Sequence, residues 1–369
     1  MGLKILTITC HNVYNHGASL QQLALLEYLI SLGHDAKTIN YKPSYLANHF
    51  NFLAINNPTF ERNYVFKLFY ILLKFPFRLI ERKRKRKFDS FENDYIKILP
   101  KKYTSNQELI NDLPIADVYI CGSDQVWNSY FQNGKDPAFY LDFVPNDKLK
   151  ISYAASFAID AIDPTLQDFV REKISRLDWV SVREASGVKM VQDLGIENVT
   201  QVFDPVFLVE PAYWESFVKP LTERYIFVYD FDTNVTLREF ALQQAKARGL
   251  QIYTVNNNIR YADKNFYLHG PDVFLSLVHG ADLVLTNSFH AVAFSLIFQK
   301  QFIVFNRSEN INTRMRDLLI LFNLDYLLVD NSIEFFYDSF NVDYSVIKCI
   351  METKIFESKL FLNNALQNF

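Results

Sequence analysis

Cysteine is scarce in this 369-residue chain, which carries three in all. Cys10, Cys121 and Cys349 form no CxxC pair and stand at no metal-ligand spacing from histidine. That pattern excludes a disulfide framework and a zinc finger, and it predicts reduced core cysteines in a cytosolic protein. Net charge is nearly absent: 38 basic residues against 41 acidic ones leave −3. No whole-molecule field would draw such a chain to nucleic acid, so no nucleic-acid partner is expected. Missing too is any uninterrupted apolar run of the roughly 18–20 residues that span a bilayer. The first residues lack a basic start followed by an apolar stretch and a small-residue cleavage site, so a cytoplasmic location is expected. No carboxylate pair or His/Cys cluster has metal spacing, and neither a metal nor a resident cofactor is expected.

What is present is apolar substance: 49% hydrophobic and 16% aromatic residues, enough for a sizeable core in about two domains. Residues 3–9 form a short apolar run suited to a buried parallel strand. A polar loop follows, and then residues 18–32 carry apolar side chains at helical spacing, with Ser19 as expected N-cap and Gly33 at the C′ position. An extended pattern resumes at residues 36–41. Strand, helix and strand in this order imply a parallel α/β sheet. Residues 45–110 interrupt the rhythm and read as an inserted pair of helices. Their residues 64–79 are apolar and aromatic, and run into the basic stretch Lys83 to Lys87. The same grammar returns after the insertion and again in the second half. The expected organisation is a Rossmann-like domain at 1–210, a second at 211–340, and a helical tail at 341–369 packing near their junction. Two such domains facing each other leave a cleft at the carboxyl ends of their strands.

Three strand-to-helix loops hold the unusual polar residues. The first is Asn15-His16-Gly17-Ala18-Ser19, where a helix N-terminus offers backbone N–H groups to an anion, although a turn glycine often means only turn geometry. The second carries Arg183 just after a strand, placed either to grip a carboxylate or phosphate or to pair with Glu184. The third carries His290 at the start of an apolar helix, placed either for proton transfer or for a backbone hydrogen bond. Asp124 reads as a general base or a cap, and Asp204, ahead of Pro205, mainly as a turn residue.

Together these loops resemble the polysaccharide pyruvyl transferase family across roughly residues 3–325. The resemblance rests on Asn15-His16-Gly17-Ala18-Ser19-Leu20-Gln21, Gly122-Ser123-Asp124-Gln125-Val126-Trp127-Asn128 and Ser152-Tyr153-Ala154-Ala155-Ser156-Phe157. It continues in Ser181-Val182-Arg183-Glu184, Asp204-Pro205, Thr286-Asn287-Ser288-Phe289-His290 and Asn312-Thr313-Arg314. It implies an α/β, GT-B-like fold of two Rossmann-like domains around a central cleft. It also implies an enzyme of surface-polysaccharide (exopolysaccharide or capsule) biosynthesis that transfers pyruvate from phosphoenolpyruvate to a sugar as a ketal. Arg183 falls on the family's donor-binding arginine and His290 on its catalytic histidine. Ser288 stands where characterised members often have an arginine, and Arg314 or Arg307 is the candidate substitute for that charge.

On this reading His290 and Arg183 are catalytic. Asn15, Gly17, Ala18, Ser288 and Arg314 bind the donor. Asp124, Trp127 and Tyr153 bind the acceptor, with core packing an equal alternative for the two aromatics. The partners are phosphoenolpyruvate, a glycan or lipid-linked oligosaccharide, and an anionic membrane face touched peripherally by residues 64–87. The rivals are a GT-B glycosyltransferase using a nucleotide sugar and a non-catalytic carbohydrate-binding or assembly protein.

Overall fold

A computed structural model describes residues 2–47, 63–308, 311–329 and 341–367. Parts of two expected regions, 48–62 in the insertion and 330–340 at the end of the second domain, lie outside the described residues. The first lobe is built on a seven-stranded sheet in the order β3-β2-β1-β4-β5-β6-β7. Its strands are β1 (Lys4–Ile8), β2 (Asp35–Tyr41), β3 (Ile98–Tyr103), β4 (Val118–Cys121), β5 (Leu149–Ala155), β6 (Trp179–Val182) and β7 (Val199–Gln201). The second lobe holds a six-stranded sheet in the order β10-β9-β8-β11-β12-β13. These strands are β8 (Tyr225–Tyr229), β9 (Gln251–Thr254), β10 (Lys264–Asn265), β11 (Leu283–Thr286), β12 (Phe302–Phe305) and β13 (Leu328–Val329). Every pairing in both sheets is parallel.

Parallel strands covered on both faces need apolar side chains on both faces, and the sequence supplies them. All residues of β4, β8, β11 and β12 are buried. In both sheets the chain runs outward from a central strand, then crosses back to the other side of it. The order therefore reverses between β1 and β4 in one sheet and between β8 and β11 in the other. Loops diverge at such points and leave a crevice beyond the carboxyl ends of the strands.

Helix α1 (His16–Ser31) is buried on nearly every side, which marks a helix enclosed by protein rather than one lying on a surface. Its N-cap is Asn15, whose Oδ1 accepts from the N–H groups of Gly17 and Ala18 at 2.9 and 3.3 Å. Ser19, expected in that role, sits a turn inside the helix. Gly33 ends it with a φ of +87°, a left-handed conformation that a side chain would strain.

Among the described residues of the insertion the long element is a single helix, α2 (Tyr64–Tyr95), with Pro76 inside it, followed by strand β3 and the short helix Asn106–Asn111. The basic run thus continues a helix. Arg84 turns inward from it, donating to the carbonyls of Tyr14 at 2.8 Å and Tyr267 at 2.7 Å, one in each lobe.

Helices α3 (Ala185–Asp193), α4 (Val235–Arg248), α5 (Pro271–Gly280), α6 (Phe289–Ile297) and α7 (Thr313–Leu321) complete the lobes. The last helix, α8 (Tyr344–Gln367), begins on the second lobe, where the Tyr344 hydroxyl donates to the Ser295 carbonyl at 3.1 Å. It ends on the first lobe. There Ser358 Oγ accepts from the Phe203 N–H at 2.8 Å, and the Phe361 ring packs 5.8 Å from that of Trp179.

Phe361 is the main apolar side chain by which α8 meets β5 and β6, so its removal leaves a cavity that the neighbouring rings cannot close. Phe361→Ala is expected to cost about 3–5 kcal/mol of stability, read as a lowered midpoint of urea unfolding. An unchanged midpoint would mean that the helix does not dock there.

Candidate active site

The two crevices face each other and enclose a cavity of about 570 Å³. Its lining comes from the loops that topology places there. The β1–α1 loop brings Cys10, Val13 and Asn15, and the loop after β4 brings Asp124, Gln125 and Asn133. The second lobe brings Phe231 after β8, Asn287, Ser288 and His290 after β11, and Arg307 and Arg314 after β12. Left-handed backbone at non-glycine positions includes Asp124 on this rim and several other first-lobe residues. Asn12, Tyr14, Asp124, Ala154 and Ala158, none of them glycine, have φ between 52° and 80°. Such conformations cost energy and persist where the surrounding structure enforces them, as at ligand sites.

Beside the cavity lies a knot of buried charge. Asp204 Oδ2 accepts from Arg183 Nη1 at 2.6 Å and from Ser123 Oγ at 2.9 Å, and His290 Nε2 lies 3.6 Å from the same oxygen. Arg183 Nε donates to Glu184 Oε1 at 3.0 Å, and its guanidinium sits 4.1 Å from the centre of the Phe289 ring. Burial alone would raise the Asp204 carboxyl. The hydrogen bond and charge of His290, with the charge of Arg183, hold it well below the usual carboxylate range. Glu184 goes the other way: burial raises it, and Arg183 and Ser156 only partly oppose the rise. His290 thus turns Nε2 toward Asp204 and Nδ1 toward Gly17.

Arg314 is placed differently. It lines the cavity, yet it is 8% exposed. Its Nη1 is 3.9 Å from Asp124 Oδ1, and with the Gln125 amide oxygen turned toward it, Nη2 and Nη1 donate there at 2.8 and 3.1 Å. Its Nε has no partner. Burial first, and then the nearby charge of Arg183, bring its pKa down to about 10. A buried cation so weakly compensated favours an anion beside it. Arg307, by contrast, already grips Asp232 Oδ1 through Nε and Nη2 at 3.3 and 3.2 Å.

The helix termini also divide the work in a way that departs from expectation. The first amides of α1 are occupied by the Asn15 side chain, so Gly17 and Ala18 do not offer them to a ligand, and Ala18 is buried. Helix α6 has Ser288 as N-cap without a side-chain cap bond, and its start lines the cavity. Like the start of α7, whose N-cap Asn312 also lacks a side-chain bond, the start of α6 thus keeps its first amides free of a side-chain cap beside the cavity.

Gly17 has another task. A Cβ built on it would lie 2.0 Å from His290 Nδ1, so only glycine lets α1 pass this close to the imidazole. Two expected acceptor contacts are corrected. Trp127 is fully buried, stacked on Tyr140 at 5.4 Å, with Nε1 donating to the Phe139 carbonyl at 3.0 Å. Tyr153 is fully buried as well, its hydroxyl donating to the Phe203 carbonyl at 3.0 Å. Both are core. Arg183 is corrected too: it stands behind His290 rather than in the cavity, because β6 lies beyond the β1/β4 reversal. The structure thus brings Asn15, Asp124, Ser288, His290 and Arg314 together, with Gly17 against His290. Sequence reading missed the lining residues Asn133, Gln125, Phe231 and Asn287, ordinary polar or apolar loop residues, and the part played by Asp204.

Residues 15–309 match the family model described as polysaccharide pyruvyl transferase. No curated protein matches the chain. Among solved structures, the UDP-N-acetylglucosamine 2-epimerase of Rickettsia bellii is similar with a TM-score of 0.52 at 11% identity, covering 100% of this chain and 96% of that one. The UDP-GlcNAc 2-epimerase from Neisseria meningitidis, solved bound to UDP-GlcNAc, has a TM-score of 0.48 at 11% identity, covering 99% of this chain and 100% of that one. At such identity the likeness is one of fold, and the fold is GT-B-like: two Rossmann-like lobes about a cleft.

The Gly17–His290 contact can be tested by a double-mutant cycle. Gly17→Ala is expected to destabilise the protein by about 1–3 kcal/mol through the clash with the imidazole. Adding His290→Ala should return part of that loss, giving a clear departure from additivity in urea unfolding. Strict additivity would show that the two residues do not press on each other.

Proposed function

We propose, because the chain belongs to the polysaccharide pyruvyl transferase family, that it moves pyruvate from phosphoenolpyruvate onto two hydroxyls of one sugar, forming a ketal. The sugar belongs to a surface polysaccharide or its lipid-linked precursor. The observation that carries this reading is the pairing, in one cavity, of the undercompensated Arg314 guanidinium with the uncapped start of α6. Phosphoenolpyruvate has two anionic groups on one small carbon frame. Its carboxylate suits the planar fork of Arg314, and its phosphate suits the amides that open α6. Arg314 then supplies the charge that characterised members often carry at the position of Ser288, reaching the cavity from α7 instead of α6. A cavity of about 570 Å³ leaves room for a hexose beside the donor.

The chemistry requires two proton movements and one departing group. One sugar hydroxyl attacks C2 of phosphoenolpyruvate and its proton ends on the methylene carbon, which becomes the methyl group. The second hydroxyl attacks the same C2. The bond from C2 to the phosphate oxygen breaks, the electron pair leaves with phosphate, and phosphate takes the second proton. His290 carries protons between these groups through Nδ1 while Asp204 holds Nε2–H and stabilises the imidazolium. Arg183 neutralises Asp204, so the carboxylate orients the ring without taking its proton. Asp124, whose Oδ1 lies 3.9 Å from Arg314 Nη1 in the cavity wall, accepts from a sugar hydroxyl.

The test is incubation with phosphoenolpyruvate and a lipid-linked glycan extract, following phosphate release and the mass of the glycan. The wild type should release phosphate in step with a pyruvyl mass increment. His290→Ala should slow both by about 10²–10⁴. A His290→Ala protein that pyruvylates at the full rate would overturn the assignment.

A further inference from the structure

Helix α2 is two helices in character. From Tyr64 to Ile80 it is mostly apolar and most of its described side chains are exposed, over a length of roughly 25 Å at 1.5 Å per residue. Leu68, Phe69, Leu72, Leu73 and Phe77 are each more than half exposed, and Leu72 and Phe77 reach 63% and 65%. Exposed apolar surface of this extent signals a partner. The charges in the segment are of one sign: Lys67, Lys74 and Arg78, with no Asp or Glu until Glu81. Lys67 Nζ lies 5.7 Å from the Tyr64 ring centre and Lys74 Nζ 5.9 Å from that of Phe77, so these two ammonium groups sit over aromatic rings of the same segment. Beyond Ile80 comes a collar of exposed Lys83, Arg86 and Lys87. Among the described residues, no helix is long and apolar enough to cross a membrane.

We infer that residues 64–87 of α2 are a peripheral anchor for an anionic bilayer: the apolar rod enters the interface and the basic collar meets the headgroups. Charge decides between this occupant and a second copy of the chain. Two copies packed along this segment would bring like charges together, whereas an anionic leaflet neutralises them. The anchor is rigidly joined to the cleft. Glu81 accepts from the Tyr267 hydroxyl at 2.5 Å, and Arg84 holds the carbonyl of Tyr14, next to Asn15 in the cavity wall. The inference goes beyond the donor chemistry and stands without it.

The experiment is sedimentation of the full chain with vesicles of phosphatidylcholine alone and of phosphatidylcholine mixed with phosphatidylglycerol. The wild type should partition onto the anionic vesicles, more weakly onto the neutral ones, and less as salt rises. Phe69→Ser, Leu72→Ser and Phe77→Ser together should lower the partition coefficient by roughly tenfold or more. Lys83→Gln, Arg86→Gln and Lys87→Gln should each lower it roughly fivefold on anionic vesicles alone. Circular dichroism and the thermal midpoint, unchanged in these surface variants, would confirm that the fold is intact. Wild-type protein that ignores anionic vesicles, or an apolar triple variant that binds like the wild type, overturns the inference. So does a triple variant that merely converts a dimer to a monomer, which would assign the face to a second copy.

Discussion

A single buried carboxylate oxygen joins the two lobes chemically. Asp204 Oδ2 takes the guanidinium of Arg183 from the first lobe and faces the imidazole of His290 from the second. Removing one member of a buried pair of this kind leaves an uncompensated charge, a loss of about 3–5 kcal/mol. The carboxylate is therefore held ionised by its neighbours, and the His290 imidazole lies 3.6 Å from it. The glycine at position 17 belongs to the same constraint, since α1 must approach the imidazole too closely for any Cβ. The position of the His290 ring involves all three: a carboxylate beside Nε2, a cation that pairs with that carboxylate, and a missing side chain that makes room.

The cavity exists because of strand order. Both sheets reverse direction beside their first strand, and the lobes present those reversals to each other. Residues distant in sequence, from Cys10 to Arg314, line one space for that reason. The same order explains why Arg183 is set back. It leaves β6, two strands beyond the reversal, and reaches Asp204 after β7 before it can reach the cavity. Arg314, from α7 in the second lobe, takes the place at the cavity wall. The outer part of the first lobe, with β3 and α2, adds an exposed surface of apolar and basic residues.

Much of this was legible in the sequence where burial leaves a periodic mark. The β1–α1–β2 unit, strands β8, β9, β11 and β12 of the second lobe and the glycines closing helices all follow from apolar runs and turn chemistry, whereas the two-residue strands β10 and β13 leave no such run. His290, Arg314, Ser288, Asn15 and Asp124 could be placed at strand ends, and strand ends are where the cavity lies. Strand β3 left no such mark. An edge strand with one exposed face tolerates Pro100 and two lysines, and its residues read as part of a helical insertion. Trp127 and Tyr153 were misread because an aromatic residue with a polar atom suits a sugar subsite and a core equally. Only coordinates reveal that each polar atom ends on a backbone carbonyl. Ser19 was a sound cap by type, but Asn15, four residues earlier, also has the right chemistry and the right backbone. The division between Arg183 and Arg314 depends on Asp204, Ser123 and Glu184 meeting in space, and no local pattern announces that.

The account stands on Arg314 as the guanidinium that receives the carboxylate of the donor. Calorimetric titration of the wild type and of Arg314→Gln with phosphoenolpyruvate, and with a nucleotide sugar in parallel, addresses this directly. Phosphoenolpyruvate should bind the wild type, and Arg314→Gln should bind it roughly ten- to a hundredfold more weakly, the worth of a charged hydrogen-bonded contact. Equal affinity in the two proteins, or binding of the nucleotide sugar with none of phosphoenolpyruvate, would contradict it.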